Sequence, residues 1–289
     1  MKTDLHIHSN HSDGALSVEE IFREAKLRNI GLLSITDHDS IASQELAFGL
    51  AGKAGLNYVP GVELNVTFSH PRFNSGKPVS LDFIGYHFVI NDTALRKKLE
   101  EMAEYREVRA AKILENLNAE FEMEGIEKLT RNDFAEIQAS VDGSMGRPHI
   151  ADYLVKKKIV KSRQEAFDKY LVKCDVPKYP LHLSEASRLV KDAGGRLVLA
   201  HPNDPHGTSL VSFSKSLFDQ TEIIRESMLS FIDGVECWHS RSDSVTTRHY
   251  IRFAKEHSLI MTGGSDCHQK PIVMGTVKVP KYVTNYFKF

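Results

Sequence analysis

Gly31-Leu32-Leu33-Ser34-Ile35-Thr36-Asp37-His38 is an apolar run of strand length closed by a carboxylate and an imidazole. The same pattern recurs on either side of it. Upstream, Leu5-His6-Ile7-His8 is another short run, and its two histidines, set two apart, share one side of a strand. Between the two runs, Ser17-Val18-Glu19-Glu20 places a glutamate three residues after a serine, the pattern of a capping box, and opens a helix through Ala25 and Leu27. Downstream, a helix from Ser43 to Ala54 stops at Gly55, Asn57 to Glu63 supplies a third strand and Leu81 to His87 a fourth. Strands and helices in alternation predict an α/β fold of mostly parallel strands with helices outside.

The rhythm changes near Asn91. Leu95, Leu99, Met102, Val108, Ile113, Leu114 and Leu117 follow a period near 3.6 in a charged, helical stretch, and a second helical group runs from Gly146 to Leu171. The alternation then returns, with a helix from Leu183 to Ala193 and strands at Arg196–Ala200, Ile232–Trp238 and Leu259–Thr262. The expected organisation is a discontinuous domain of residues 1–92 and 184–289, interrupted by a helical insertion at 93–183 that caps one face.

Composition narrows the function classes. A formal net charge of −1 gives no global attraction to nucleic acid or anionic membrane, so affinity for a phosphate polymer would need a local patch and no stable nucleic-acid complex is expected. No run approaches the roughly 18 apolar residues of a membrane span, and the first residues do not have the pattern of a secretory signal. Three cysteines without paired spacing argue against a disulfide framework, which makes a cytoplasmic location the expectation.

The chemistry lies at the strand ends. His6 and His8 sit on the first strand with Asp13 just beyond, and Asp37 and His38 close the second. Glu63 closes the third strand and His87 the fourth, while His201, His239, Asp266 and His268 follow the later ones. In a parallel barrel these ends gather on one face. A lone histidine at a strand end is most often structural, but so long a series is not a run of coincidences. Imidazole mixed with carboxylate suits Zn, Mn or Fe, whereas an all-oxygen set would favour Mg or Ca.

Asp4-Leu5-His6-Ile7-His8-Ser9, Thr36-Asp37-His38-Asp39, Gly61-Val62-Glu63, Leu199-Ala200-His201-Pro202 and Gly264-Ser265-Asp266-Cys267-His268 together resemble the motifs of the PHP (polymerase and histidinol phosphatase) family. Gly146-Arg147-Pro148-His149-Ile150-Ala151 looks like its stand-alone, TrpH-like branch. The resemblance implies a distorted (β/α)7 barrel and a metal-dependent phosphoesterase using a metal-activated hydroxide. Its substrates would be small phosphorylated molecules, as in nucleoside 3′,5′-bisphosphate phosphatases and 5′→3′ exonucleases acting on short RNA ends. It also implies two or three divalent ions. His6, His8, Glu63 and Asp266 would hold one, Glu63 with His87 and His201 a second, and Asp13, His38 and His268 a third.

Asp266 is the expected acceptor of the water's proton, and His201 or His239 the donor to the leaving group. Arg147 is the expected phosphate contact, since a guanidinium fork matches phosphate oxygens. His239 and Arg241 are expected on the substrate side, although relatives tend to carry Ser-His-Ser where this chain reads Arg241-Ser242-Asp243. Other readings stay open. Histidinol phosphatases share the implied fold and metals, and metal amidohydrolases also use an HxH pair, but with a bridging lysine that no strand end here supplies. A metal-binding module without activity is the non-catalytic alternative.

Overall fold

The computed structural model describes residues 1–141 and 143–287; position 142 of the helical stretch and the last two residues of the C-terminal segment lie outside the described residues. Strand β1 (Lys2–Ile7) is buried from Thr3 onward. Helix α1 (Val18–Leu27) starts at the Ser17–Glu20 capping box and buries Val18, Ile21, Phe22 and Ala25. These side chains pack with Ile7, Leu33 and Ile35 in one apolar cluster. Strand β2 (Ile30–Ile35) is buried at every position and pairs in parallel with β1. Helix α2 (Gln44–Ala54) ends at Gly55 in the left-handed region, φ 65°, where glycine has no Cβ penalty.

The expected third strand divides. β3 (Asn57–Tyr58) pairs in parallel with β2, and β4 (Gly61–Phe68) begins after Pro60. The Gln44 side chain seals the break: its amide donates to Ile35 O and Gly61 O, and its oxygen accepts from Gly61 N–H.

A larger difference follows. β4 forms an eight-residue antiparallel hairpin with β5 (Val79–Tyr86), and β5 is antiparallel to β6 (Arg196–Leu199) as well. The expectation of mostly parallel strands therefore fails at β5. β4 runs on to Phe68 and β5 starts at Val79, so residues 69–78 are the connection of a hairpin, and a hairpin forces the returning strand to run backward.

Helix α3 (Thr93–Glu124) has Asp92 as its N-cap and Gly125, φ 69°, past its end. At 1.5 Å per residue it is about 48 Å long, and it serves two cores. Leu95, Leu99 and Met102 pack on the sheet. Ala110, Ile113, Leu114, Leu117 and Phe121 pack in a separate cluster with α4 (Arg131–Ala139), α5 (Arg147–Lys156) and α6 (Arg163–Ala166).

Helix α7 (Leu183–Asp192) returns the chain to the sheet core through Leu183, Ala186, Leu189 and Val190. After β6 come α8 (Leu217–Ser227), β7 (Gly234–His239), α9 (Ser244–Glu256) and β8 (Ile260–Gly264). The β6–β7 and β7–β8 pairs are parallel. The result is an α/β fold with a three-stranded sheet β1-β2-β3 and a five-stranded sheet β4-β5-β6-β7-β8. Single bridges Ile7↔Cys267 and His38↔Glu63 link the sheets on both flanks. Among the described residues no helix is long and apolar enough to cross a membrane.

Candidate metal centre

The parallel strands deliver their C-terminal ends to one place. His6 and His8, both buried, bring their Nε2 atoms within 3.2 Å of each other. Glu63 Oε2 lies 3.4 Å from His6 Nε2 and 3.2 Å from His8 Nε2, and Asp266 Oδ1 lies 3.4 Å from both. Asp13 Oδ1 faces His268 Nε2 at 3.3 Å and His38 Nε2 at 3.9 Å, while His38 Nδ1 stands 3.1 Å from Glu63 Oε2. His201 Nε2 meets Glu63 Oε1 at 2.9 Å.

The expected ligands thus fall into interlocking groups: His6 with His8 and Asp266; His6 with Glu63 and His201; and His8 with Asp13, His38 and His268. Glu63 Oε2 and Asp13 Oδ1 are buried without a hydrogen-bond partner, an arrangement that costs free energy unless a cation faces them. Two ligand atoms about 2.1 Å from one tetrahedral ion lie about 3.4 Å apart, the spacing found here between nitrogens and oxygens. Donor chemistry, orphaned oxygens and spacing all fit divalent metal ions.

Charge is distributed to match. Burial alone would lower the histidine pKa values, but Glu63 and Asp266 overrule it and raise His8 to about 10. His201 likewise rises against burial to about 9, chiefly through Glu63. His6 is also raised, by Glu236, Glu63 and Asp266. His38 goes the other way, because burial outweighs Glu63 and Asp13. Burial would raise Asp13, Glu63 and Asp266, yet the surrounding imidazoles hold all three well below the usual carboxylate range.

His87 is not part of this arrangement. It is exposed, with φ 59°, at the end of the reversed strand β5. Reversal brings the other part of β5 to the site: Asp82, buried and accepting from Asn65 Nδ2, has Oδ2 3.9 Å from His201 Nε2. Burial and Glu63 raise the pKa of Asp82. Glu236 was also missed, although a carboxylate inside the apolar run Val235–Trp238 was a visible signal. It is buried, faces His6 Nδ1 at 3.1 Å and accepts the His201 N–H at 2.8 Å, holding both residues in place. Asp37, one residue before His38, accepts from Ser9, Ser12 and Ser43 and so shapes the loop that carries Asp13.

Above this floor the helical stretch forms a roof. A cavity of about 250 Å³ is bounded by Asp13, His38, Glu63, Asp82, His201, Asp266 and His268 below. Arg106, Arg109, Arg147 and Lys178 line it on the other side. Arg147 starts α5, pairs with Asp175 at 2.7 Å and lies over the Phe167 ring. Lys178, another residue not foreseen, has its pKa lowered by burial. Arg106 reaches from α3 to Asp39, beside His38, donating from Nε at 2.9 Å. His239 Nε2 lies 3.2 Å from Asp266 Oδ2, and Arg241 Nη2 contacts the same oxygen at 2.6 Å. Cys267 points away from the ligands into the apolar cluster with Ile7.

The PHP domain matches residues 4–175 of this sequence, more than half of the chain. The chain belongs to the PHP domain family. It is 28% identical over 278 residues to a 5′-3′ exoribonuclease of Haemophilus influenzae, covering 92% of this chain and 90% of the relative. It is also 28% identical over 279 residues to a 3′,5′-nucleoside bisphosphate phosphatase of Chromobacterium violaceum, covering 92% and 86%. A solved structure described as a metal-dependent phosphoesterase from Bifidobacterium adolescentis superposes with a TM-score of 0.80 at 24% identity, over 98% of this PHP chain and 94% of its own. That likeness supports the fold.

Proposed function

We propose that this PHP chain is a metal-dependent phosphoesterase hydrolysing phosphate esters of nucleotides or of short oligonucleotide ends. The observation that carries the reading is a histidine–carboxylate floor facing a cationic roof across one small cavity. Metal sites and basic side chains converge wherever phosphate oxygens must be held from two sides.

Two or three divalent ions, Mn, Zn or Fe, would be held by three sets. His6, His8, Glu63 and Asp266 form the first; Glu63 and His201, with Asp82 in place of His87, the second; Asp13, His38 and His268 the third. Such ions supply Lewis acidity toward phosphate oxygens and acidify the attacking water.

The chain's own side chains do the rest. Arg147 and Lys178 receive phosphate oxygens from the roof. Asp266, kept ionised by its imidazoles, accepts a hydrogen bond from the attacking water and fixes its approach. His239 does not line the cavity among the described residues, and its place is to orient Asp266. Lys178, on the roof opposite His201, faces the leaving oxygen and can give it a proton.

Residues 93–183 act as a cap, and a cavity of about 250 Å³ admits small nucleotides or a chain end rather than a long duplex. The two sheets, linked on both flanks, are read as one distorted (β/α)7 barrel.

The test is nucleotide and phosphate release by the Mn²⁺-loaded protein before and after chelation. A nucleoside 3′,5′-bisphosphate, a 5′-phosphorylated short RNA and histidinol phosphate are offered side by side. Chelator-sensitive cleavage of either nucleotide substrate is expected. Turnover of histidinol phosphate alone would move the chain to that biosynthetic monoesterase reading, and no turnover with metal bound would sink the phosphoesterase reading.

A further inference from the structure

Beside the metal-ligand floor lies a fourth histidine–carboxylate group, Asp204, His239 and Asp266, whose ligand atoms are as close together as those of the other three. It differs in one respect: a guanidinium already stands in it. Arg241 Nη2 is 2.7 Å from Asp204 Oδ2 and 2.6 Å from Asp266 Oδ2.

We infer that Arg241 is a built-in cation that fills this fourth ligand pocket and thereby limits how many divalent ions the centre takes. The inference rests on reading the neighbouring groups as metal sites.

Asp204 is the first support. Its side chain is fully buried, its Oδ1 accepts the His206 N–H at 2.9 Å, and its Oδ2 takes no hydrogen bond. The contact of Oδ2 with Arg241 is therefore one of charge, and without Arg241 this buried oxygen would face the pocket unpaired. Gly207 leaves space for this carboxylate, since a Cβ there would lie 2.9 Å from Oδ2.

Asp266 is the second support. Oδ1 faces His6 and His8, while Oδ2 faces His239 and Arg241. Arg241 thus leaves Asp266 one oxygen for the floor. An ion bound about 2.1 Å from both Oδ2 atoms would overlap the guanidinium, so the two cannot occupy the pocket together. A guanidinium does not lose its proton at any working pH, so this plug stays charged. Its side chain is 44% exposed, which makes it replaceable without disturbing a core.

The experiment counts metal. Wild type, Arg241→Met, Arg241→Gln, Arg241→Lys and the double variant Arg241→Met/Asp204→Asn are dialysed against excess Mn²⁺, and bound metal per chain is measured by elemental analysis. Circular dichroism verifies that each is folded. Arg241→Met and Arg241→Gln are expected to hold one more equivalent than wild type. Arg241→Lys should match wild type, and the double variant should lose the extra ion. Equal counts in wild type and both neutral variants, or an extra ion that survives Asp204→Asn, would overturn the inference. A wild type that takes up no ion would instead overturn the reading of the floor as a metal centre, whatever the difference between variants.

Discussion

His8 and His201 are both imidazole bases held protonated by carboxylates, with pKa values near 10 and 9 in the metal-free chain. A metal ion needs the neutral imidazole, so it must displace those protons. At pH 7.5 both are protonated before loading, so binding releases protons to buffer. As pH rises toward 9 and 10 the protons leave by themselves, and apparent metal affinity increases. Titration calorimetry in buffers of different ionisation enthalpy should therefore give heats that vary with the buffer at pH 7.5, by an amount that shrinks at pH 9.5. Heats independent of buffer at both pH values would contradict the raised pKa values.

Stability of the metal-free protein has the corresponding sign. A raised histidine pKa contributes stability that is complete below the unfolded value, about 6.5, and is lost as pH climbs through 9 and 10. Most of these side chains were legible in the sequence because each ends an apolar run. Glu236 and Asp204 were not singled out, since their work is set by partners distant in sequence: His6 for one, Arg241 for the other.

At the level of elements, strand β5 carries the lesson. Alternation or apolarity along a strand reads the same in both directions, so Leu81–His87 announced a strand without announcing its heading. A strand running with the others, together with the PHP resemblance, places His87 at the site. The hairpin with β4 turns it round, sending His87 to the far edge and bringing Asp82 beside His201. The stretch from Asn65 to Ser80 held the clue, because its two ends, Asn65–Phe68 and Val79–Ser80, are the arms of that hairpin.

The two residues now separate cleanly by mutation. Asp82→Ala is expected to lower turnover by about 10- to 100-fold, the range for losing a ligand's supporting partner or a weak ligand, and to weaken Mn²⁺ binding. His87→Ala, on an exposed position, should leave turnover unchanged and stability within about 0.5 kcal/mol. Steady-state kinetics and Mn²⁺ titration of both variants check this. A defect in His87→Ala equal to that of Asp82→Ala would return His87 to the second ligand set.

Across the whole molecule, helix α3 ties two apolar cores together and lays a cationic roof on an ionised floor. The Arg106–Asp39 contact fastens that roof next to His38, and the Asp39 N–H donates to Glu63 O at 2.8 Å, so roof, loop and Glu63 are mechanically joined. Metal-free, the floor keeps partnerless oxygens buried among imidazoles that must stay protonated. Filling it with ions present only in the folded chain adds RT ln(1 + [M]/Kd), about 2.7 kcal/mol at a hundredfold excess over Kd. For a chain of this size that corresponds to a rise in melting temperature of roughly 5 to 10 °C.

The stabilisation should also be local in origin. Hydrogen exchange should slow most at β1, the start of β4 and the segment after β8, which carry the proposed ligands. The α4 and α6 helices, packed in the second core around Ile137 and Ala166, should change least. Calorimetric melting of the Mn²⁺-loaded and chelated protein, followed by exchange on the same samples, tests both parts. No rise in melting temperature would argue against ion binding at the floor. A rise whose protection centred on α4 and α6 would place the ions somewhere other than at the strand ends.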